Sequence, residues 1–61
     1  MTDRELLLAA IQASGLSRRK FAERVLLRDE RTVRRWLAGD AKMPPIVREH
    51  LQVIVAKAEK L

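Results

Sequence analysis

Apolar residues recur at intervals of three and four along most of this chain, which is the spacing of one face of an α-helix. Segments with this spacing predict helices over about 3–14, 17–26, 30–38 and 45–60. No segment alternates apolar and polar residues as a half-buried strand does. The pattern therefore predicts an all-α fold, a compact domain of four helices.

Residues at the segment boundaries are typical of helix ends. Thr2 and Glu5 have the spacing of a capping box, in which each side chain accepts a hydrogen bond from the other residue's backbone amide. Gly15 ends the first helix, and Leu16 is expected to pack back against its last turn as in a Schellman cap. Ser17 is expected to cap the second helix.

The third segment predicts a short helix with two different faces. Asp29 is a good amino-terminal cap, and Gly39 suits the left-handed conformation that ends a helix. Val33, Trp36 and Leu37 share one face, so we interpret Trp36 as a core residue rather than a base-stacking one. The opposite side, called the arginine face below, consists of Arg31, Arg34 and Arg35. This is the form expected of a helix that lies in the DNA major groove.

Charge and composition narrow the function. The chain has 61 residues, enough for one small domain, and its net charge is +5. Residues 15–42, the basic segment, hold nine Lys or Arg against four Asp or Glu, so all of the excess lies there. Such a field attracts polyanions, most often nucleic acid, although an ordinary solvated surface is the alternative. The absence of Cys excludes disulfides, and no export signal or membrane span is recognisable, which favours a cytoplasmic protein.

Catalysis finds no support in the sequence. His50 is the only His, and no spaced set of carboxylates or glycine-rich phosphate loop accompanies it. We expect a non-enzyme with no cofactor, no metal and no small-molecule effector.

The connection between the second and third segments is only a few residues long, which predicts the steep crossing of a helix-turn-helix pair. With that pair placed, the chain resembles the lambda-repressor-like (Cro/CI or XRE) helix-turn-helix family of bacterial and phage regulators. The resemblance covers nearly the whole chain and rests on three segments: Ser17–Leu26, Asp29–Gly39 and Pro44–Pro45. Within them, the family favours the pairs seen here as Phe21-Ala22 and Thr32-Val33, followed by Trp36 and a closing Gly.

The chain departs from this family at two points. Leu27 stands in the turn where the family usually has Gly, and a Leu held at positive φ is strained by about 1 kcal/mol or more. Alternatively the turn is remodelled, because Ala22 and Trp36 are one residue further apart than in the commonest form. The family also typically has five helices, so five is the alternative to the four predicted here.

The resemblance and the helical geometry together imply a set of DNA contacts. Base edges are expected to be read by the residues at the start and outer side of the third helix: Asp29, Glu30, Arg31, Arg34 and Arg35. Arg31 and Arg34 are the first candidates, whereas Arg35 has a phosphate as its alternative. Phosphates are expected to be contacted by seven other residues: Ser17, Arg18, Arg19, Lys20, Arg28, Thr32 and Lys42. The alternative is a solvated charged face in which Glu30 and Arg34 pair with each other.

The last helix has more apolar surface than a small core needs. Its stripe is expected to form a two-fold dimer interface through Val47, Leu51, Ile54, Val55, Ala58 and Leu61. The alternative is that the same side chains close the monomer core over Leu7, Ile11 and Trp36. The resulting hypothesis is a homodimeric repressor that reads an inverted repeat in double-stranded DNA. Its rivals are an antitoxin-like or adaptor-like protein-interaction module and a non-specific nucleic-acid binder.

Overall fold

The computed structural model describes residues 2–59, with the backbone alone at position 59. Its helices are α1 (Asp3–Ser14), α2 (Arg18–Phe21, continuing into one π-helical turn over Ala22–Leu26), α3 (Glu30–Ala38) and α4 (Pro45–Glu59). No strand occurs within this range. The all-α, four-helix prediction is confirmed, with helix bounds within one residue of those expected wherever the structure describes them.

Helix α1 begins and ends at the predicted residues. The Thr2 hydroxyl accepts from the Glu5 amide at 3.2 Å, and the Glu5 carboxylate accepts from the Thr2 amide at 3.0 Å, completing the capping box. At the other end the Ser14 hydroxyl accepts from the Leu16 amide at 3.1 Å and donates to the Ile11 carbonyl at 2.6 Å. Gly15 lies at φ 73° and ends the helix as predicted, and Leu16 is partly buried against the core. The Ser14 hydroxyl replaces only the amide-to-carbonyl bond that a Schellman cap makes from the residue after its glycine.

The α2–α3 connection combines both of the alternatives that the sequence left open. The Ala22 carbonyl accepts from the amides of Leu27 and Arg28, the latter at 2.9 Å, which makes the turn wider than an α-helical one. A π-helical turn accommodates one extra residue, which matches the longer spacing between Ala22 and Trp36. Leu27 ends this turn in the left-handed region, with φ 55° and ψ 39°.

The core lies where the four helices meet. Its largest fully buried side chains are Leu7, Phe21, Val33 and Leu51, one from each helix. Helix α1 packs mainly against α4 and also contacts α3, so it joins the last helix to the third. Met43 is also buried, although its segment was predicted only as a loop. It belongs to the same cluster of core residues.

Helix α4 closes the core with part of its apolar stripe. Val47 and Leu51 are buried among the core residues, so they are not available to a partner and their assignment to a dimer interface is corrected. The alternative, closure of the monomer core, holds for these two. Arg48 forms an ion pair with Asp3 and so ties α4 to the first turn of α1.

Between residues 2 and 59, no helix is both long enough and apolar enough to cross a membrane.

Candidate nucleic-acid interface

The amino-terminal end of α3 is fixed by two adjacent side chains. The Asp29 carboxylate accepts from the Thr32 amide at 3.2 Å and from the Thr32 hydroxyl at 2.5 Å. The hydroxyl contact first, and the amide contact next, lower the pKa of Asp29 below its ordinary value of 3.8, with a smaller contribution from the charge of Arg31. Asp29 therefore stays ionised where the helix dipole favours a negative charge.

The carboxyl-terminal end of α3 is closed by a Schellman motif. Gly39 lies at φ 81°, its amide donates to the Trp36 carbonyl at 3.2 Å, and the Asp40 amide donates to the Arg35 carbonyl at 3.0 Å. The positive φ explains why this position is a glycine. Helix α3 is thus held at both ends by hydrogen bonds that the sequence predicted.

The body of α3 presents one face to the core and the other to solvent. Val33 is fully buried, and Trp36 and Leu37 are less than a tenth exposed, which confirms Trp36 as a core residue. All three members of the arginine face are exposed. Because the inner face is anchored in the core, the arginine face is carried on a helix that cannot rotate freely.

The three arginines differ in what surrounds them. Arg34 forms an i,i+4 ion pair with Glu30, a contact that was predicted as the alternative to base readout. Glu30 is half-buried, so this contact also fixes where the Arg34 guanidinium lies. Across the described part of the chain, Arg31 and Arg35 have neither an ion pair nor a side-chain hydrogen bond.

The predicted phosphate-contacting residues are all placed at or near the surface, though three of them are engaged locally. Ser17 caps α2 by accepting from the Lys20 amide at 3.2 Å, and the Thr32 hydroxyl is bonded to Asp29. Arg19 pairs with Glu23 at 3.2 Å. The others are exposed and have no ion pair with any described residue: Arg18, Lys20, Arg28 and Lys42. Their charges are available to a polyanion without breaking a contact.

Sequence reasoning missed two features of this region. Arg24, in the π-helical turn, is exposed like its basic neighbours, and its inclusion in the basic segment was the signal that pointed to it. Leu27 is 81% exposed, which only the structure reveals, since its turn position gave no information about burial.

The other four residues of the predicted dimer stripe differ in what the structure shows of them. Ile54, Val55 and Ala58 are half-buried, whereas Leu61 lies outside the described residues. Val55 and Ala58 line a shallow groove of about 270 Å³ with three residues of α1: Ala9, Gln12 and Ala13. The groove keeps some apolar surface accessible between α1 and α4.

No three His, Asp or Glu side chains within the described part are grouped as metal ligands, and His50 is exposed. Comparison of the chain with models of protein families, with curated proteins and with solved structures gave no match. No family assignment follows from these comparisons.

Proposed function

We propose that this chain is a sequence-specific regulator that binds double-stranded DNA with α3 in the major groove. The observation that carries the proposal is the construction of α3. Hydrogen bonds fix both of its ends, its inner face is buried, and its arginine face is exposed. Reading a base requires a side chain whose backbone is already positioned, and α3 provides such a backbone.

The chemistry of the arginine face suits base edges. A guanidinium binds guanine O6 and N7 through two hydrogen bonds, worth about 1–3 kcal/mol of discrimination. Among the described residues Arg31 has no ion-pair partner to leave, and it stands two residues after the cap, at the amino-terminal part of the helix that enters a groove first. Arg34 is oriented by Glu30, and we assign it the same role with Glu30 as its support.

The flanks of α3 supply the contacts that position it. Lys20 in α2, Arg28 in the connection before α3 and Lys42 in the loop after it are exposed cations on either side of this helix. Phosphate contacts of this kind fix register without reading sequence. We assign α2 and α3 to the helix-turn-helix pair that the sequence resemblance implies.

We assign the active form to a homodimer that acts as a repressor. A helix-turn-helix unit reads few base pairs, and pairing places two such helices about 34 Å apart on one side of the duplex. Ile54, Val55 and Ala58 are the members of the predicted dimer stripe that the structure leaves partly accessible. A dimer bound to its operator blocks the access of RNA polymerase. Repression of this kind requires no domain beyond the DNA-binding one.

Selection of binding sites from a random duplex pool at physiological salt tests this proposal. Enrichment of an inverted repeat with half-sites about 10 base pairs apart is the expected result, because a two-fold dimer imposes that spacing. A single short site would overturn the dimer and keep base reading. Salt-dependent binding with no preferred sequence would identify a non-specific binder, and no binding would favour the protein-interaction module.

Two variants separate reading from positioning on the selected site. Arg31→Ala is expected to relax the preference at one base position, since it removes a base contact. Lys20→Ala is expected to weaken all duplexes alike and to reduce the slope of log affinity against log salt by about one. Lys57→Ala removes one exposed charge from α4 and serves as the control, which should change neither quantity. An equal loss on every sequence for Arg31→Ala would contradict base reading.

A further inference from the structure

Leu27 combines two features that work against the stability of the isolated domain. Its backbone lies in the left-handed region, at φ 55°, where a side chain with a Cβ is strained and glycine is not. Its side chain is 81% exposed and so contributes almost nothing to the core. A single exposed leucine is ordinary on a protein surface, but one that also imposes backbone strain is not.

The charges around Leu27 indicate what would cover it. Arg24 lies in the turn before it, Arg28 follows it directly, and Arg31 is the second residue of α3. All three are exposed, and none has an ion pair within the described residues. An acidic surface is therefore complementary to this site, whereas an apolar protein surface would have to leave three arginines without partners.

We propose that Leu27 is a specificity-determining residue that contacts the C5-methyl group of a thymine in the major groove. This inference rests on the proposed function, which places α3 in that groove. Leu27 precedes the first residue of α3 by three positions and its side chain is exposed, so with α3 in the groove we place it beside the amino-terminal end of the helix. Among the groups that base pairs present there, the thymine methyl is the apolar one.

The contact discriminates between sequences in a way that arginine does not. Arg31 and Arg34 favour guanine, and a leucine beside them adds a preference for a thymine at a neighbouring position. The strain at Leu27 is then offset in the complex, because burial of its side chain against the methyl group occurs only on DNA.

A comparison of thymine with uracil tests the contact directly. The duplex that the wild-type protein selects is prepared in two forms, with thymidine or with deoxyuridine at the selected positions, which differ only by the methyl group. Leu27→Ala is expected to weaken binding to the thymidine form by about fivefold, the loss of one methyl-sized apolar contact. On the deoxyuridine form, wild type and Leu27→Ala are expected to bind equally.

A control variant and three contrary outcomes complete this test. Leu8→Ala removes a leucine side chain that is 44% exposed on α1, outside the basic segment, and should bind both duplexes as wild type does. An unchanged affinity of Leu27→Ala, an equal loss on both duplexes, or a selected site without a fixed thymine would each overturn the contact. In all three cases the wild-type protein still selects a site, so the proposed function stands, whereas a protein that selects none loses both.

Discussion

Leu27 has a strained backbone conformation, with the one positive φ at a non-glycine residue among those that the structure describes. A left-handed conformation costs a residue with a Cβ roughly 1–2 kcal/mol, and here neither core packing nor a side-chain hydrogen bond offsets it. The strain arises because the π-helical turn must reverse direction before Asp29 caps α3. Glycine, which has no Cβ, would remove the strain.

Leu27→Gly is therefore expected to stabilise the free protein. Relief of strain exceeds the added entropy of glycine in the unfolded chain by about 0.5–1 kcal/mol, which corresponds to a rise in Tm of roughly 2–8 °C for a domain of this size. Leu27→Ala is the matched variant, because alanine keeps the Cβ and the strain. Thermal unfolding should show an unchanged Tm for alanine; an equal rise for both variants would contradict the role of the left-handed backbone.

At the scale of the element, α3 shows how far local rules extend. Its cap at Asp29, its end at Gly39 and its buried face were all predictable, because each depends on residues within one or two turns. The pairing of Arg34 with Glu30 was also among the predicted alternatives. The π-helical turn before it was not predicted as such, since its two bonds to the Ala22 carbonyl depend on where α3 must begin.

The Asp29 cap makes α3 sensitive to acid. Its pKa is lowered in the folded protein, mainly by the Thr32 hydroxyl, so folding favours the ionised form. The contribution of the Asp29 carboxylate to the stability of the fold is complete above its ordinary pKa of 3.8. This contribution is lost as the pH falls through the lower pKa that Asp29 has in the folded protein. Asparagine caps helices about as well but does not titrate.

Asp29→Asn is expected to flatten the acid limb of the stability curve. Below about pH 4 the Tm of the wild-type protein should fall more steeply than that of the variant, because only the wild type loses this carboxylate's contribution. Thermal unfolding of both proteins between about pH 2 and pH 7 measures the difference. Parallel curves would show that the cap does not depend on ionisation.

At the scale of the whole molecule, some apolar residues of α4 are buried in the core and others are exposed. Leu51 is fully buried beneath α1, whereas Val53, two residues further along the same helix, is about half exposed. The sequence showed one broad stripe and left open which part closes the core. Only the packing of α1 on α4, fastened by the Asp3–Arg48 ion pair, decides the division.

Truncation at these two positions measures that division. Leu51→Ala is expected to destabilise the protein by about 2–5 kcal/mol, because it leaves a cavity in the core. Val53→Ala, the matched control, should change stability by no more than about 0.5 kcal/mol. Denaturant unfolding at two protein concentrations gives both values, and the Leu51→Ala loss should not depend on concentration. A loss that vanishes in dilute protein would instead place Leu51 in an intermolecular contact.

The sequence by itself determined the helical segments, their caps, the inner face of α3 and the concentration of charge in the basic segment. Each of these follows from hydrogen bonding, periodicity or composition over short distances along the chain. The tertiary structure decided the burial of Met43, the ion pair between Asp3 and Arg48, and the burial of Val47 and Leu51. These depend on residues far apart in sequence that meet only when the helices pack, and no local pattern specifies which of them will meet.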